Sequence, residues 1–336
     1  MIGNLLSASF NAYGLLIGAG MLTCIFLAYF FAKKRGYYDD LVFEIAIVCV
    51  PLAIIGARLY YIVFDIVAND NASEWTFSKI LGLDGGGLRG LAIYGGVIGG
   101  VIGGVILYFV RRYLYKSGKS NKRISFLQMA DLAFSVFLLG QAVGRWGNFF
   151  NQEAYGNLVS DPALQWFPYA VYIDAMSNWY QATFFYEFAW NFIGFLLLAW
   201  LYAGKHKSFD GFIIYGYCTW YGLGRMMIEG LRSDSLWLIP GQIRVSQLLS
   251  VILFVFGLAM IIVHLFRARM HGKQPFIFVK ESELDDTFFG YSESIFAVPV
   301  SERAGVEVKK SKEPQFEEVD DNDKYWEVNG DSEDKK

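Results

Sequence analysis

Seven blocks of apolar residues alternate with short polar segments along most of the chain. A helix that crosses a bilayer needs about 20 predominantly apolar residues, and each block has roughly that length. The blocks cover residues 13–32, 42–65, 91–110, 125–146, 182–203, 210–230 and 246–266. The pattern predicts an all-α fold, a polytopic membrane helix bundle with about seven transmembrane helices.

Lys and Arg residues are concentrated in every second connection between these blocks. They follow the first, third, fifth and seventh blocks, as Lys33, Lys34 and Arg35; Arg111, Arg112, Lys116, Lys119, Lys122 and Arg123; Lys205 and Lys207; and Arg267, Arg269 and Lys273. The connection from Phe149 to Gln181 has none. Because cytoplasmic loops carry the excess of Lys and Arg, we expect the N-terminus outside and the C-terminus in the cytoplasm.

The composition changes sharply after the last apolar block. Hydrophobic residues make up 54% of the chain and charged residues 18%, whereas a soluble domain usually has about a quarter charged residues. From Lys280 onward there are 17 acidic and 8 basic residues, a net charge of −9. We expect a transmembrane domain at 1–273 and an acidic, disordered cytoplasmic tail at 274–336.

Two rows of glycines run along the third block at a spacing of four residues. One row is Gly95, Gly99 and Gly103, and the other is Gly96, Gly100 and Gly104. Such rows let two membrane helices approach closely. The alternative is a glycine loop that cradles a phosphate, but the helical period and the length of the block favour helix packing.

The three cysteines, Cys24, Cys49 and Cys218, all lie inside predicted spans. Their spacing matches neither a set of metal ligands nor a disulfide framework. We expect them to be small apolar core residues, and the sequence predicts no metal and no cofactor.

Several polar residues lie at one predicted depth, close to the outer surface of the membrane. They are Tyr13, Arg58, Tyr94, Arg145, Asn148, Glu187, Arg225 and Glu229. Charged residues inside a bilayer are costly and usually functional. One interpretation is ion pairing between helices, since Arg225 and Glu229 are four residues apart. Three arginines at one depth favour a second interpretation, the binding of an anionic phospholipid headgroup through planar bidentate hydrogen bonds.

Residues 144–156 read GRWGNFFNQEAYG. This segment closely resembles the signature G-R-x-G-N-F-x-N-x-E-x-x-G of the prolipoprotein diacylglyceryl transferase family. Further family landmarks occur in the expected order: Tyr13-Gly14, Gly56-Ala57-Arg58, Tyr94-Gly95-Gly96, Tyr186-Glu187 and Tyr221-Gly222-x-x-Arg225. The resemblance covers about residues 10–268 and leaves the acidic tail outside.

The resemblance implies an enzyme of bacterial lipoprotein biosynthesis in the plasma (inner) membrane, with its active site toward the outer leaflet. The family transfers the diacylglyceryl group of phosphatidylglycerol to the lipobox cysteine thiol of a preprolipoprotein signal peptide. A thioether forms and glycerol phosphate leaves. By resemblance Arg145 binds phosphatidylglycerol and Arg225 is a second essential arginine. Further residues are expected to bind or line the same pocket, namely Tyr13, Arg58, Asn148, Asn151, Glu153 and Tyr221.

The chain departs from the family at Tyr94, where the usual motif has a histidine. Its histidines, His206, His264 and His271, all lie toward the predicted cytoplasmic side or in the tail. A histidine base at the outer leaflet is therefore not expected. A free phenol, with a pKa of about 10, is a poor base near neutral pH. The proton acceptor stays open between Tyr94, Glu153 and the departing phosphate.

The expected mechanism is substitution by the thiolate at a glyceryl carbon of the lipid. Arg145 and Arg225 would stabilise the charge that develops on the leaving phosphate. The partners are membrane lipid and a signal peptide, which we expect to enter laterally between helices, and no nucleic acid. A secondary transporter or lipid flippase is the main alternative, and it predicts a midplane site with internal repeats. A scaffold that signals through the acidic tail is a second.

Overall fold

The structure is a computed structural model that describes residues 12–37, 40–69, 74–81, 90–119, 124–204, 209–232, 237–239 and 243–270. The expected tail at 274–336 lies outside these residues. The helices are α1 (Ala12–Lys34), α2 (Leu41–Asn69), α3 (Phe77–Ile80), α4 (Ile93–Lys116), α5 (Phe126–Phe150), α6 (Thr183–Ala203), α7 (Phe212–Glu229) and α8 (Val245–Met270).

The seven long helices coincide with the seven predicted spans to within a few residues, so the helical membrane fold is confirmed. Six of them, all but α7, are long and apolar enough to cross a membrane among the described residues. Helix α7 is the shortest of the seven and carries Arg225 and Glu229 near its end. Its lower hydropathy follows from the polar residues that the sequence analysis placed there.

Helices α2 and α4 pack tightly on each other through glycines. A side chain at Gly99 would overlap the backbone carbonyl of Leu52, and one at Gly95 would overlap the backbone of Gly56. Gly103 lies against Cys49, where an added Cβ would be 2.9 Å from Cα. These three glycines form one of the two predicted rows. The helix-packing interpretation of the row is therefore confirmed.

Helices α1, α5, α6, α7 and α8 form the main bundle, which is tied together where α7 begins. Asp131 of α5 is fully buried and accepts hydrogen bonds from the backbone N–H groups of Gly211, Ile213 and Ile214, at 2.9, 3.0 and 3.1 Å. A carboxylate at a helix N-terminus satisfies the unpaired N–H groups and complements the helix dipole. Asp131 therefore has a structural role at this end of the bundle.

Two small β-hairpins occupy connections that the sequence analysis left without structure. Strands β1 (Ala170–Ile173) and β2 (Asn178–Gln181) pair antiparallel with Ala170 opposite Gln181. Strands β3 (Trp237–Ile239) and β4 (Ile243–Arg244) pair in the same way between α7 and α8. The first hairpin contacts the segment with the family signature through Asp174 and Gln152.

Candidate active site

The side chains of the signature segment form a series of hydrogen bonds at the end of α5. Arg145 donates from Nη1 to Asn148 Oδ1 at 3.3 Å, and Asn148 donates from Nδ2 to Glu153 Oε1 at 2.8 Å. Asn151 donates to the same carboxylate oxygen at 3.3 Å. The structure thus brings together four of the predicted site residues. The two amides bind the Glu153 carboxylate, and Asn148 links it to Arg145.

The backbone turns sharply around Glu153 to make this arrangement possible. Gln152 and Ala154, on either side, adopt left-handed conformations with φ of 50° and 57°. Such values are uncommon for residues other than glycine. Gln152 stabilises the turn by exchanging two hydrogen bonds with Asp174 of the β1–β2 hairpin, at 2.6 and 2.9 Å. The hairpin therefore acts as a support for the signature segment.

A buried ion-pair cluster joins this segment to the neighbouring helices. Glu187, near the start of α6, is 3% exposed and lies between two arginines. Its Oε2 is 2.5 Å from Arg145 Nη2, and its Oε1 is 2.5 Å from Arg225 Nη1. Arg225 also contacts Glu229 at 2.8 Å, and Arg232 approaches Glu187 Oε1 at 3.6 Å. We call these five residues the arginine–glutamate cluster.

The cluster is consistent with both interpretations of these charges, ion pairing between helices and the binding of an anion. The pairing of Arg225 with Glu229 that their spacing suggested is present, and Glu187 links α5, α6 and α7. Within the cluster, three arginines face two glutamates. The guanidinium of Arg244 in β4 lies close by and donates to the backbone carbonyl of Glu229. A surplus of positive charge in a poorly solvated site favours the binding of an anion.

The guanidinium groups retain hydrogen-bonding capacity for such an anion. An arginine has five N–H donors in a planar fork. Among the described residues, Arg145 contacts only Asn148 and Glu187, and Arg225 contacts only Glu187 and Glu229. The Arg145 side chain is 19% exposed, the highest value in the cluster. Arg145 is therefore the cluster residue most accessible to a ligand.

Helices α6 and α7 are held in register by a reciprocal contact, the tryptophan–glycine lock. The indoles of Trp190 and Trp220 stack with centroids 4.6 Å apart, and each donates a 2.9 Å hydrogen bond to the backbone carbonyl of the other residue. Each indole also covers a glycine of the opposite helix, Trp190 on Gly224 and Trp220 on Gly194. The lock keeps Glu187 level with Arg225.

Three predicted site residues have other surroundings. Arg58 donates to the backbone carbonyls of Ile80, Gly90 and Lys79, at 3.2, 3.3 and 2.6 Å, so it fastens the α2–α4 connection. Tyr94 packs its ring on Tyr60, with centroids 6.2 Å apart. Within the described part of the chain, it makes no hydrogen bond or ring contact with the arginine–glutamate cluster. Tyr13 lies in α1, and its side chain is outside the described residues.

Tyr221 lies beside the cluster on α7. Its ring stacks on Tyr217 at 5.5 Å, and it is one helical turn before Arg225. The cluster also contains Glu187 and Glu229, which the sequence placed at the same depth, and Arg232, which was not predicted. Glu187 stands in the landmark Tyr186-Glu187 and is the only carboxylate of α6. Arg232 follows Glu229 by three residues, and that position beside the charged end of α7 is the signal that could have identified it.

Among the described residues, no group of three His, Cys, Asp or Glu side chains could hold a metal ion. Comparison with known proteins identifies a family model, that of prolipoprotein diacylglyceryl transferase, which matches residues 2–263. The matched region contains both the signature segment and the arginine–glutamate cluster, and it ends before the acidic segment.

Three bacterial relatives are similar over most of the chain. A protein from Clostridium perfringens named phosphatidylglycerol--prolipoprotein diacylglyceryl transferase 1 is 36% identical over 268 residues, which are 79% of this chain and 94% of the relative. A transferase of the same name, without the numeral, from Clostridium kluyveri is 38% identical over 251 residues, 74% of this chain and 89% of the relative. Another from Lysinibacillus sphaericus is 36% identical over 261 residues, 74% and 86% respectively.

Proposed function

The chain belongs to the prolipoprotein diacylglyceryl transferase family, and from this membership we infer that it transfers the diacylglyceryl group of phosphatidylglycerol to prolipoproteins. One structural observation supports this conclusion. The family signature folds around Arg145, which contacts Glu187 and so joins the arginine–glutamate cluster. The chain thus has the charged site that a reaction of an anionic lipid requires, and the transporter alternative is not favoured.

We propose that Arg145 and Arg225 bind the phosphate of the lipid together. Glu187 holds both guanidinium groups from one side, with contacts of 2.5 Å to each. Their remaining N–H donors can form bidentate hydrogen bonds with phosphate oxygens, which are stronger than bonds between neutral groups. Asn148 and Asn151 position Glu153 at the edge of this site. Arg58 holds the α2–α4 connection and so acts as a positioning residue.

The reaction that we propose is a substitution at the glyceryl carbon bonded to the phosphate oxygen. The thiolate of the lipobox cysteine attacks this carbon, a C–S bond forms, and the C–O bond to phosphate breaks. The electron pair of that bond leaves with glycerol phosphate. The arginines stabilise the leaving group, because it gains negative charge as the bond breaks. The products are a thioether-linked diacylglyceryl cysteine and glycerol phosphate.

The surroundings of Glu153 and Tyr94 support the departing phosphate as the acceptor of the thiol proton. Glu153 accepts hydrogen bonds from the amides of Asn148 and Asn151, so its Oε1 is already occupied. Tyr94 has no contact with the arginine–glutamate cluster among the described residues. The leaving phosphate, in contrast, gains negative charge and therefore basicity as the C–O bond breaks, so the proton lost by the thiol can end on glycerol phosphate as it departs. We therefore assign Tyr94 a role in orientation of the lipid.

We propose that the site lies toward the outer leaflet of the bacterial inner membrane. The cluster is built where α5 and α7 end and α6 begins. Basic residues collect at the opposite ends of helices, as with Lys33 and Lys34 of α1 and Lys116 of α4. Since cytoplasmic segments carry such residues, this distribution supports an active site on the outer side.

The direct test is a transfer reaction with purified protein. The protein is reconstituted in phosphatidylglycerol vesicles and incubated with a synthetic peptide that contains a lipobox cysteine. We expect the peptide to gain the mass of one diacylglyceryl group. A peptide with serine in place of the cysteine, and vesicles of phosphatidylethanolamine, are the matched controls. A folded protein that leaves the cysteine peptide unmodified would contradict the proposed function.

A further inference from the structure

A second layer of polar side chains lies one helical turn deeper than the arginine–glutamate cluster. Gln141 is four residues before Arg145 on α5, and Tyr221 is four residues before Arg225 on α7. On α6, which runs in the opposite direction, Asn191 is four residues after Glu187. Residues four apart share one face of a helix.

We call Gln141, Asn191 and Tyr221 the amide–phenol layer. Four residues of helix rise about 6 Å, so this layer lies about that far below the charged one. The tryptophan–glycine lock fixes the level of two of its members. Trp190 and Trp220 stack directly on each other, and Asn191 and Tyr221 are the residues that follow them. The layer is therefore a consequence of the same helix register that joins Glu187 to Arg225.

The layer contains hydrogen-bonding atoms that no described residue satisfies. Asn191 is 2% exposed, and its amide nitrogen is buried without a hydrogen-bond partner among those residues. Gln141 donates from Nε2 to the Tyr217 hydroxyl at 3.1 Å, while its carbonyl oxygen is buried without a described partner. Burying a polar group without a partner is costly. Two such groups at one level indicate that this layer binds a polar ligand group.

We propose that the amide–phenol layer recognises an ester carbonyl of the diacylglyceryl group, an inference that rests on the proposed function. In a glycerophospholipid the ester carbonyls lie a few bonds below the phosphate, at a depth comparable to one helical turn. An ester carbonyl only accepts hydrogen bonds, and Asn191 offers a buried donor. Rotation of the Gln141 amide group by 180° provides a second donor. The Gln141 carbonyl then accepts a hydrogen bond from the Tyr217 hydroxyl, and the Gln141 NH2 group becomes available to the ester.

The consequence is a preference between lipids that share headgroup and chain length. A phosphatidylglycerol with ester-linked chains presents a carbonyl to the layer, and the analogue with ether-linked chains presents a methylene group. We expect wild-type protein to transfer the ester-linked group about fivefold faster than the ether-linked group. This ratio corresponds to the contribution of one hydrogen bond between neutral groups. Asn191 and Gln141 thus act as specificity-determining residues for the transferred group.

The experiment compares the two lipids in wild type, Asn191→Leu and Gln141→Leu. Leucine has as many side-chain heavy atoms as asparagine and replaces an amide nitrogen without a described partner, so Asn191→Leu is expected to unfold at a temperature near wild type. Gln141→Leu also removes the hydrogen bond to the Tyr217 hydroxyl, so we expect this variant to unfold at a lower temperature. Each variant should transfer the ester lipid about fivefold more slowly and the ether lipid at the wild-type rate. Phe195→Leu, one turn deeper on the same face of α6, is the packing control and should keep the preference.

The outcomes separate this inference from the proposed function. Equal loss of both rates in Asn191→Leu would show that Asn191 only supports the fold, and it would overturn the proposal. A wild type without a preference between ester and ether lipids would overturn it as well, while the transfer function would stand. A wild type that transfers neither lipid to the lipobox peptide would instead contradict the proposed function itself.

Discussion

At the scale of single residues, the shape of the Arg145 side chain is the feature with the clearest consequence. Its two terminal nitrogens contact Asn148 and Glu187, so its orientation is fixed while other N–H groups remain available. Lysine keeps the charge but lacks the planar fork that matches a phosphate. We predict that Arg145→Lys loses transfer activity nearly as completely as Arg145→Ala.

The measurement is the initial transfer rate in phosphatidylglycerol vesicles with purified variants. Arg112→Lys, near the opposite end of the bundle on α4, is a control for the exchange of arginine for lysine and should keep the wild-type rate. If Arg145→Lys also kept that rate, charge alone would be sufficient and bidentate binding would be excluded.

The second prediction for a single residue concerns Tyr94, which stands where the family motif has a histidine. If Tyr94 orients the lipid headgroup, removal of its hydroxyl removes one hydrogen bond to a charged group, worth roughly 1.5–3 kcal/mol. Tyr94→Phe should then lose on the order of ten- to a hundredfold in rate, and Tyr94→His should remain active. The measurement is transfer rate against pH. An inactive Phe variant, together with a new titration near neutral pH in the His variant, would identify this position as the base.

Sequence alone predicted the residues of the signature and placed Glu187 at the same depth, but it did not predict that Glu187 pairs with both Arg145 and Arg225. Arg145, Asn148, Asn151 and Glu153 are close in the chain, so their association follows from one local turn. Glu187 is distant in sequence, and its contacts with both arginines depend on how three helices pack. Arg58 illustrates the same limit. Its backbone partners lie 21 to 32 residues away, and no spacing pattern in the sequence identifies carbonyl acceptors.

At the scale of elements, the tryptophan–glycine lock determines how α6 meets α7. A methyl group at Gly224 would overlap the indole of Trp190, and overpacking of this kind costs about 1–3 kcal/mol. We predict that Gly224→Ala lowers the free energy of unfolding by about this amount and also slows transfer, because Arg225 follows directly. Thermal unfolding of purified protein in detergent, together with the transfer rate, provides the measurement.

Gly18→Ala is the matched control for this prediction, since a Cβ at Gly18 would have no neighbour within 4 Å. That variant should unfold like wild type. A Gly224→Ala protein with unchanged stability and transfer rate would show that α6 and α7 can move apart without a loss of free energy of unfolding. That result would contradict the tryptophan–glycine lock.

The helices were predictable from the sequence because each apolar block has the length and period of a spanning helix. The β-hairpins were not, since β1 and β2 are only four residues long and their apolar residues show no extended alternation. The hydrogen bonds between Gln152 and Asp174, which join the first hairpin to the segment after α5, are a tertiary contact between residues 22 positions apart. Short elements that depend on tertiary contacts leave little pattern in the chain.

At the scale of the whole molecule, the orientation in the membrane is open to direct test. We predict that residues 149–181 are accessible from outside the cell and residues 111–123 from the cytoplasm, because basic residues remain on the cytoplasmic side. Single cysteines introduced at exposed positions, such as Asp161 and Lys119, can be labelled with a reagent that does not cross the membrane. If the 149–181 segment were labelled only from the cytoplasmic side, the orientation would be the opposite of the one that we predict.

The acidic C-terminal segment gives a second prediction at the scale of the whole molecule. The family match ends at residue 263, and the cluster lies entirely before that point. Truncation after Lys273 should therefore leave the transfer rate largely intact. The measurement compares full-length and truncated protein at equal amounts in the membrane. A truncated protein that inserts normally and has lost its activity would show that the tail contributes to catalysis.

The reciprocal contact of α6 and α7 also limits how this protein can diverge or be engineered. Each tryptophan needs the glycine on the opposite helix, so a change in one helix requires a matching change in the other. A chimera that takes α6 alone from a distant homologue would place a foreign side chain against Trp220 and leave Gly224 without its cover. A chimera that takes α6 and α7 together would keep both contacts. Recombination breakpoints inside this pair should therefore be rare among functional chimeras.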